Sequence, residues 1–274
     1  MADKLRDTSR LCIHTITTNP WTLQESLEGY AKAGARGVTV WRHHVEPYGV
    51  KEAARMIRES GLKLVSLCRG GYFCATSGAA REEAKAENHR IIDEAVELGA
   101  PLVVIVPGAV PGLDLAEARH QIIAGIMDLL PHAQDAGIKI GIEPLHPMYT
   151  DNRSAINTLE QANNIVTSLD NEHLGVVVDV YHLWWDPFLK AEIDRAGKSI
   201  FAFHVSDWRT PTEDMLNDRG LMGEGCINIR QIRGWVERVG FDGPIEVEIF
   251  SNRYWQQNQA SFVERIRRAY LDHV

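Results

Sequence analysis

The sequence predicts an α/β protein built as a single (β/α)8 TIM barrel, and three observations carry this prediction. Eight short apolar runs alternate with stretches of helical periodicity along all 274 residues. Several transitions repeat the order helix tail, glycine, strand, as in KAGARGVTV and ESGLKLVSL, where glycine suits the left-handed end of a helix. No linker or change of composition divides the chain, so residues 1–274 are expected to form one TIM-barrel catalytic domain.

A doubly wound open sheet is the alternative, because the number of strands does not by itself prove that the sheet closes. The glycine-rich fingerprint of a dinucleotide-binding fold should follow the first strand, but that strand continues as CIHTITTNPW. No phosphate-binding P-loop pattern occurs either. These absences favour the closed barrel.

The expected elements can be assigned in chain order. A helix is predicted over REEAKAENHRIIDEAVEL, and four helix starts carry a capping residue followed three positions later by Glu or Gln. These pairs are Thr22 and Glu25, Asp114 and Glu117, Thr158 and Gln161, and Asn228 and Gln231. The eight strands are RLCIHTI, RGVTVW, LKLVSLC, PLVVIVPG, IKIGIEPL, LGVVVDV, IFAFHVSD and PIEVEIF.

Composition narrows the function classes. The net charge of −8 disfavours a nucleic acid as partner, because such proteins need a basic face. Four cysteines without CxxC spacing predict free thiols in a reducing compartment. The charged start MADKLRDTSR and the absence of a long apolar run predict neither a signal peptide nor a membrane span. We therefore expect a cytoplasmic protein without a membrane or nucleic-acid partner.

Side-chain alternation along the strands brings four polar residues to one place. In IKIGIEPLH the isoleucines share one face and Glu143 points to the other, at the carboxyl end of the strand. The same alternation points Asp179, His204 and Glu248 inward at the ends of the next three strands, and Phe201 outward. Active sites of TIM barrels lie at this end. The four inward residues are therefore expected at one mouth of the barrel.

A divalent cation would resolve the repulsion among three crowded carboxylates. Three oxygen donors and one imidazole suit Mn²⁺ or Mg²⁺, with Co²⁺ and Zn²⁺ as alternatives. We predict one metal ion, with Mn²⁺ as the first choice, bound by Glu143, Asp179, His204 and Glu248. The competing interpretation is that polar groups collect at strand ends and pair with arginines.

The segments GIEPLHP, VVVDVYH, FHVSDW and MGEGCINIRQIRGWVERVGFDGPIEVEIF resemble the xylose-isomerase-like TIM-barrel superfamily, which includes sugar phosphate isomerases and epimerases. The resemblance covers nearly the whole chain and implies the same four metal ligands. It also implies that His182, three residues after the aspartate, binds substrate, and that Arg209 supplies the arginine that follows the metal-binding histidine.

One branch of that superfamily, the apurinic endonucleases, departs from this sequence. Its extra zinc-binding histidines are missing: Gly220 stands in DRGLMGEG where that branch has histidine, and the fourth strand ends VIVPG. Together with the acidic net charge, this makes a DNA-repair nuclease a poor fit.

Three further residues are candidates for the mouth. His146 follows Glu143 by three positions and either acts as an acid or base, titrating near pH 6.5, or shapes a proline-flanked turn. Trp41 and Trp184 follow the second and sixth strands and either stack on a sugar or form a lid or interface.

Such a site predicts chemistry on a ketone beside a hydroxyl group. A metal ion stabilises the enediolate that forms when a base removes the α-proton, and Glu143 and Glu248 are the candidate bases. We therefore predict a metal-dependent isomerase or epimerase of a keto-sugar. The alternatives are a lyase, either a C-glycoside deglycosidase catalytic subunit or a keto-inositol dehydratase, and a non-catalytic sugar-binding barrel. The expected partners are a small-molecule sugar substrate and further copies of the chain in a homo-oligomer. A small partner subunit is an additional candidate.

Overall fold

The computed structural model describes residues 2–274 and closes eight parallel strands into a barrel, as the sequence predicts. Each barrel strand pairs with its neighbours in chain order, and the first strand pairs with the last. The barrel strands are β1 (Leu11–His14), β2 (Gly37–Trp41), β3 (Lys63–Gly71), β4 (Leu102–Val106), β5 (Lys139–Ile142), β6 (Leu174–Asp179), β7 (Ile200–Val205) and β10 (Ile245–Val247). A small antiparallel pair, β8 (Asp207–Trp208) and β9 (Arg219–Gly220), lies in the loop after β7.

Helices surround the barrel and connect its strands. Their apolar faces pack against the outward-facing strand residues in one large hydrophobic cluster. The α-helices are α1 (Leu23–Lys32), α2 (Arg42–Val45), α3 (Val50–Ser60), α4 (Gly78–Leu98), α5 (Leu115–Asp135), α6 (Leu159–Leu169), α7 (Val180–Leu183), α8 (Leu189–Ala196), α9 (Ile229–Arg238), α10 (Asn252–Trp255) and α11 (Gln259–His273). Short 3-10 turns occupy Thr15–Thr18, Pro147–Tyr149 and Gly197–Ser199.

The predicted helix boundaries are confirmed by their capping hydrogen bonds. The side chains of Thr22 and Thr158 form complete capping boxes at α1 and α6. Asp114 and Asn228 accept amide hydrogen bonds at the starts of α5 and α9. Gly61 ends α3 with a φ of 74°, the left-handed conformation that the glycine-to-strand pattern predicts.

A second apolar cluster fills the inside of the barrel and includes Leu102, Val177 and Ala202. Phe201 packs against this inner cluster, with Lys139 Nζ 4.5 Å from its ring, so the prediction that it faces the helices is wrong. The reason is a register shift between β6 and β7: Val176 pairs with Ile200, but Val177 pairs with Ala202. The extra residue breaks the simple alternation at the start of β7.

All four cysteines are free, as predicted. Burial raises the pKa of Cys12 and Cys68 well above the usual value, so both thiols stay protonated. No helix within residues 2–274 is long and apolar enough to cross a membrane.

Candidate metal centre

The structure brings Glu143, Asp179, His204 and Glu248 together at the carboxyl ends of β5, β6, β7 and β10. Their potential ligand atoms all lie within 4.8 Å of one another, and all four side chains are buried. His204 Nδ1 lies 2.9 Å from Glu143 Oε1 and 4.0 Å from Glu248 Oε2, so this nitrogen faces the carboxylates. Glu143 and Glu248 come one residue after their strands end.

The spacing and the chemistry of this cluster fit a divalent ion. Ligand atoms about 2.0–2.3 Å from a shared ion lie up to about 4.5 Å apart, close to the observed limit of 4.8 Å. Burial raises the pKa of Asp179 to about 7, because desolvation outweighs its attraction to Arg219. The neighbouring positive charge therefore does not offset the burial of the Asp179 carboxyl, and a bound cation would add the charge that favours its ionised form.

Arg219, on β9, is the cation that the protein itself places in the cluster. Its Nη1 lies 2.7 Å from Glu248 Oε2 and 3.1 Å from Asp179 Oδ2. The rings of Tyr181 and Phe250 flank the guanidinium at 4.4 and 5.0 Å. Burial disfavours the charged form, but Glu248 and Asp179 outweigh it and raise the pKa of Arg219. Salt bridges to one arginine thus account for part of the cluster, as the competing interpretation of the sequence expects.

His182 lies beside Asp179 and Arg219. A neutral ring has one acceptor nitrogen, so it accepts a hydrogen bond either from the His146 amide, 3.2 Å from Nδ1, or from Arg219 Nη2, 3.1 Å from Nε2. Nε2 also lies 3.6 Å from Asp179 Oδ2. Burial and Arg219 lower the pKa of His182 well below the usual value. His182 therefore stays a neutral imidazole beside the cluster.

A second polar layer lies beneath the cluster. Glu246 Oε2 lies 3.1 Å from His14 Nε2 and accepts from Thr39 Oγ1 at 2.5 Å. His14 Nδ1 lies 3.1 Å from Glu248 Oε1, and attraction to the two glutamates overcomes burial and raises the pKa of His14 to about 9. His204 Nε2 faces Glu246 Oε2 at 3.8 Å, too far for a hydrogen bond. The sequence analysis placed no function on His14, although its position at the end of β1 points it to this mouth.

Two adjoining cavities lie at the mouth and share Trp41, Arg69, Arg153, Leu216 and Phe250 in their walls. The inner cavity, of about 20 Å³, is lined by Glu143, His182, Arg219 and Glu248. The outer cavity has a volume of about 520 Å³, within the range of small-molecule sites. Trp41 lines both cavities, so it is placed where the sequence analysis expected it.

The structure does not place Arg209 in the cavity wall, and its guanidinium pairs with Asp218. Its role in substrate binding stays a prediction. Arg219 lines the inner cavity. It belongs to the DRGLMGEG segment, in which Gly220 stands where the nuclease branch has histidine.

Trp184 also lies away from the cavity wall. Its ring packs on Trp208, with 5.5 Å between the ring centroids. This packing favours the lid or interface role over direct stacking on a substrate.

The geometry of His146 favours the turn-shaping role. Its Nδ1 accepts from the Met148 amide at 3.2 Å and so caps the 3-10 turn at 147–149. Its ring packs against Trp208 and Trp185, with centroid distances of 4.8 and 5.8 Å. Burial lowers the pKa of His146 to about 4, so the expected titration near pH 6.5 is displaced. Only its backbone amide reaches the site, through His182.

We expect His146→Ala to reduce stability more than rate. Loss of the cap should cost about 1 kcal/mol and lower the melting temperature by about 2–4 °C, because the turn loses an acceptor. The amide that bonds His182 is retained, so kcat should stay within about threefold. His120→Ala, at an exposed position on α5, is the matched control. A fall in kcat of about 10²-fold with metal content unchanged would instead support an acid or base role.

A closed parallel barrel with a buried acidic cluster at its carboxyl mouth defines a TIM-barrel protein with a candidate site at the usual end of the barrel. The chain belongs to the xylose isomerase-like TIM barrel family, whose model matches residues 27–268. The resemblance seen in the sequence is thereby confirmed.

Curated relatives of the chain are enzymes. It is 26% identical to an inosose isomerase of Halalkalibacterium halodurans over 90% of both chains. It is 26% identical to a 3-dehydroshikimate dehydratase of Pseudomonas aeruginosa, over 85% of this chain and 37% of that protein. A ketose 3-epimerase of Arthrobacter globiformis is 22% identical over 81% of this chain and 84% of the relative. The relatives thus include both isomerases and a dehydratase.

Two solved structures share the fold. Protein SMc04130 of Sinorhizobium meliloti 1021 is 42% identical, with a TM-score of 0.93, and the match covers 96% of this chain and 98% of that one. The IolI protein, solved with a bound zinc atom, is 22% identical with a TM-score of 0.85, over 96% and 97% of the two chains. The zinc atom belongs to that structure, and at this identity the likeness to it shows the fold alone.

Proposed function

We propose that the protein is a divalent-metal-dependent isomerase or epimerase that acts on a keto-sugar or a related keto-polyol. The observation that carries this proposal is the buried set Glu143, Asp179, His204 and Glu248. Two of its members, Glu143 and Glu248, line the inner cavity, which adjoins the outer cavity of about 520 Å³. The isomerases and epimerases among the relatives support the reaction class. Mn²⁺ is the proposed ion, and Zn²⁺ is the first alternative to test because a zinc atom is bound in the IolI structure.

The four residues would hold the ion, which would supply positive charge to the carbonyl and hydroxyl oxygens of the substrate. The two candidate bases differ in how many of their carboxylate oxygens already have a partner. Glu248 has Oε1 facing His14 and Oε2 bonded to Arg219. Glu143 has only Oε1 engaged, by His204, among the contacts within residues 2–274. Glu143 Oε2 is therefore the better placed base for the α-proton, and Glu248 the more fixed ligand.

Two neighbours would orient the substrate. His182 and the Arg219 guanidinium both line the inner cavity, where they can form hydrogen bonds with substrate oxygens. The aromatic side chains of Trp41 and Phe250 line the same space and limit the water that reaches it.

A lyase that uses the same proton abstraction is the second candidate. The observation that favours it is the similarity to a 3-dehydroshikimate dehydratase across 85% of this chain. In a lyase the β-substituent leaves after the proton is removed, so the same Glu143 base serves both candidates. The two share the first step and differ in whether the bond from the β-carbon to its substituent then breaks.

Nuclear magnetic resonance in D₂O tests the proposal. The protein, loaded with Mn²⁺ or Zn²⁺ for the reaction and then stripped of metal before the spectrum, is incubated with inosose, D-fructose and 3-dehydroshikimate. Deuterium gained with every hydroxyl or keto oxygen retained supports the isomerase or epimerase, and loss of water supports the lyase. Chelation should abolish both. Exchange that persists after complete chelation, or no exchange with any metal, would contradict the proposed function.

A further inference from the structure

Two arginines near the candidate metal centre lie in the wall of its cavity. Arg69 lies in β3 and Arg153 in the loop before α6, and both side chains are partly buried. Each lines the inner cavity, together with Glu143 and Glu248, and each also lines the outer cavity of about 520 Å³. Both guanidinium groups therefore belong to the wall that the inner cavity, beside the acidic cluster, shares with the outer cavity.

Neither guanidinium forms an ion pair with any residue from 2 to 274. Arg69 donates to the Tyr72 hydroxyl and lies 5.7 Å from the Trp41 ring. Arg153 lies 5.8 Å from the Tyr149 ring and makes no hydrogen bond through its side chain among the described residues. A partly buried cation without a counter-ion is costly, and proteins usually pair such groups.

Some partly buried arginines of the chain have acidic partners: Arg42 pairs with Glu87 and Glu94, and Arg209 pairs with Asp218. Others, such as Arg119, donate to a backbone carbonyl instead. Arg69 and Arg153 do neither among the described residues, and both lie in the walls that the inner and outer cavities share. Burial lowers the pKa of both Arg69 and Arg153, and the positive charge of a neighbouring arginine adds to this effect in each case. The outer cavity thus concentrates positive charge that a ligand can neutralise.

We propose that the substrate carries an anionic group, a carboxylate or a phosphate, that binds between Arg69 and Arg153 while its keto end faces the acidic cluster. Guanidinium groups bind both anions through paired hydrogen bonds, which explains why arginines stand here. This inference rests on the proposed function for the orientation of the substrate. The anionic group must lie away from the reacting ketone, because the two ends bind in different parts of the cavity.

Isothermal titration calorimetry with three matched sugars tests the inference. D-fructose is neutral, D-fructuronate carries a carboxylate at C6, and D-fructose 6-phosphate carries a phosphate there. Each is titrated into the full chain loaded with Mn²⁺. We expect one of the two anionic sugars to bind at least about tenfold more tightly than D-fructose, and the preferred one identifies the anion.

Variants locate the anion. Arg69→Gln and Arg153→Gln should each remove most of the preference for the anionic sugar, and Arg69→Lys should restore part of it. Arg268→Gln, at an exposed position on α11, changes the net charge equally and should leave the preference intact. Melting temperatures of all variants show whether each one is folded.

The outcomes separate this inference from the proposed function. Binding of the anionic sugars that is no tighter than that of D-fructose, including no binding at about 10 mM, would overturn the inference. A preference that survives in folded Arg69→Gln and Arg153→Gln would overturn it as well, because the anion would then bind elsewhere. Failure of metal-dependent deuterium exchange contradicts the proposed function alone, since the calorimetry does not depend on turnover.

Discussion

Replacing Glu143 by glutamine is expected to lower metal-dependent turnover by at least about 10³-fold. The change removes a charged ligand from the proposed metal centre and the carboxylate oxygen, Oε2, that is free to take a proton. Glutamine keeps the size of the side chain, so the cavity should retain its shape. Deuterium exchange into the substrate measures the rate, and metal analysis of the same sample measures occupancy.

Glu172→Gln is the control for this experiment, because Glu172 is an exposed glutamate before β6. It should leave both rate and metal content unchanged. If Glu143→Gln turns over normally at saturating Mn²⁺, then Glu143 is neither an essential ligand nor the base. If the variant is inactive although it binds the metal fully, the loss belongs to proton transfer.

The barrel could be predicted because its signals are local. Glycine after a helix, capping pairs before a helix and apolar runs each depend on a few adjacent residues, and the hydrogen bonds of Thr22, Asp114, Thr158 and Asn228 follow from them. The wrong prediction for Phe201 shows the limit of such local signals. The register shift between β6 and β7 depends on how two strands pair, and alternation within one strand cannot reveal it.

The four proposed metal ligands could be brought together from sequence for a related reason. In a parallel barrel every strand delivers its carboxyl end to the same mouth, so the position along the strand fixes the destination. Loop residues lack such a rule. Arg219 begins β9 and Arg209 follows the last residue of β8, and the cavity lining includes Arg219 but not Arg209.

The surroundings of His146 and of the cavity arginines also depend on the folded structure rather than on adjacent residues. A histidine three residues after a ligand is close in sequence, but its ring caps a turn and packs on tryptophans instead. Arg69 and Arg153 are 84 positions apart by their numbers, and their common cavity becomes visible only when β3 and the loop before α6 are placed together.

Arg219→Lys is expected to lower kcat/KM by about 10²-fold, whereas Arg209→Lys should change it by less than about threefold. Arg219 reaches Asp179, Glu248 and His182 at once, with distances of 2.7–3.1 Å from its two terminal nitrogens. Lysine keeps the charge but has a single nitrogen, so it cannot replace the planar fork. Arg209 pairs with Asp218 outside the cavity lining, and lysine can keep that pair.

Steady-state kinetics with the substrate found by deuterium exchange, together with the melting temperature of each variant, decides the outcome. A fall in kcat/KM for Arg219→Lys in a protein that melts near the wild-type temperature assigns the loss to the site rather than to folding. Equal losses in the two variants would mean that the β8–β9 hairpin acts as a structural unit. A loss confined to Arg209→Lys would support the assignment made from the sequence and contradict the role that the structure gives to Arg219.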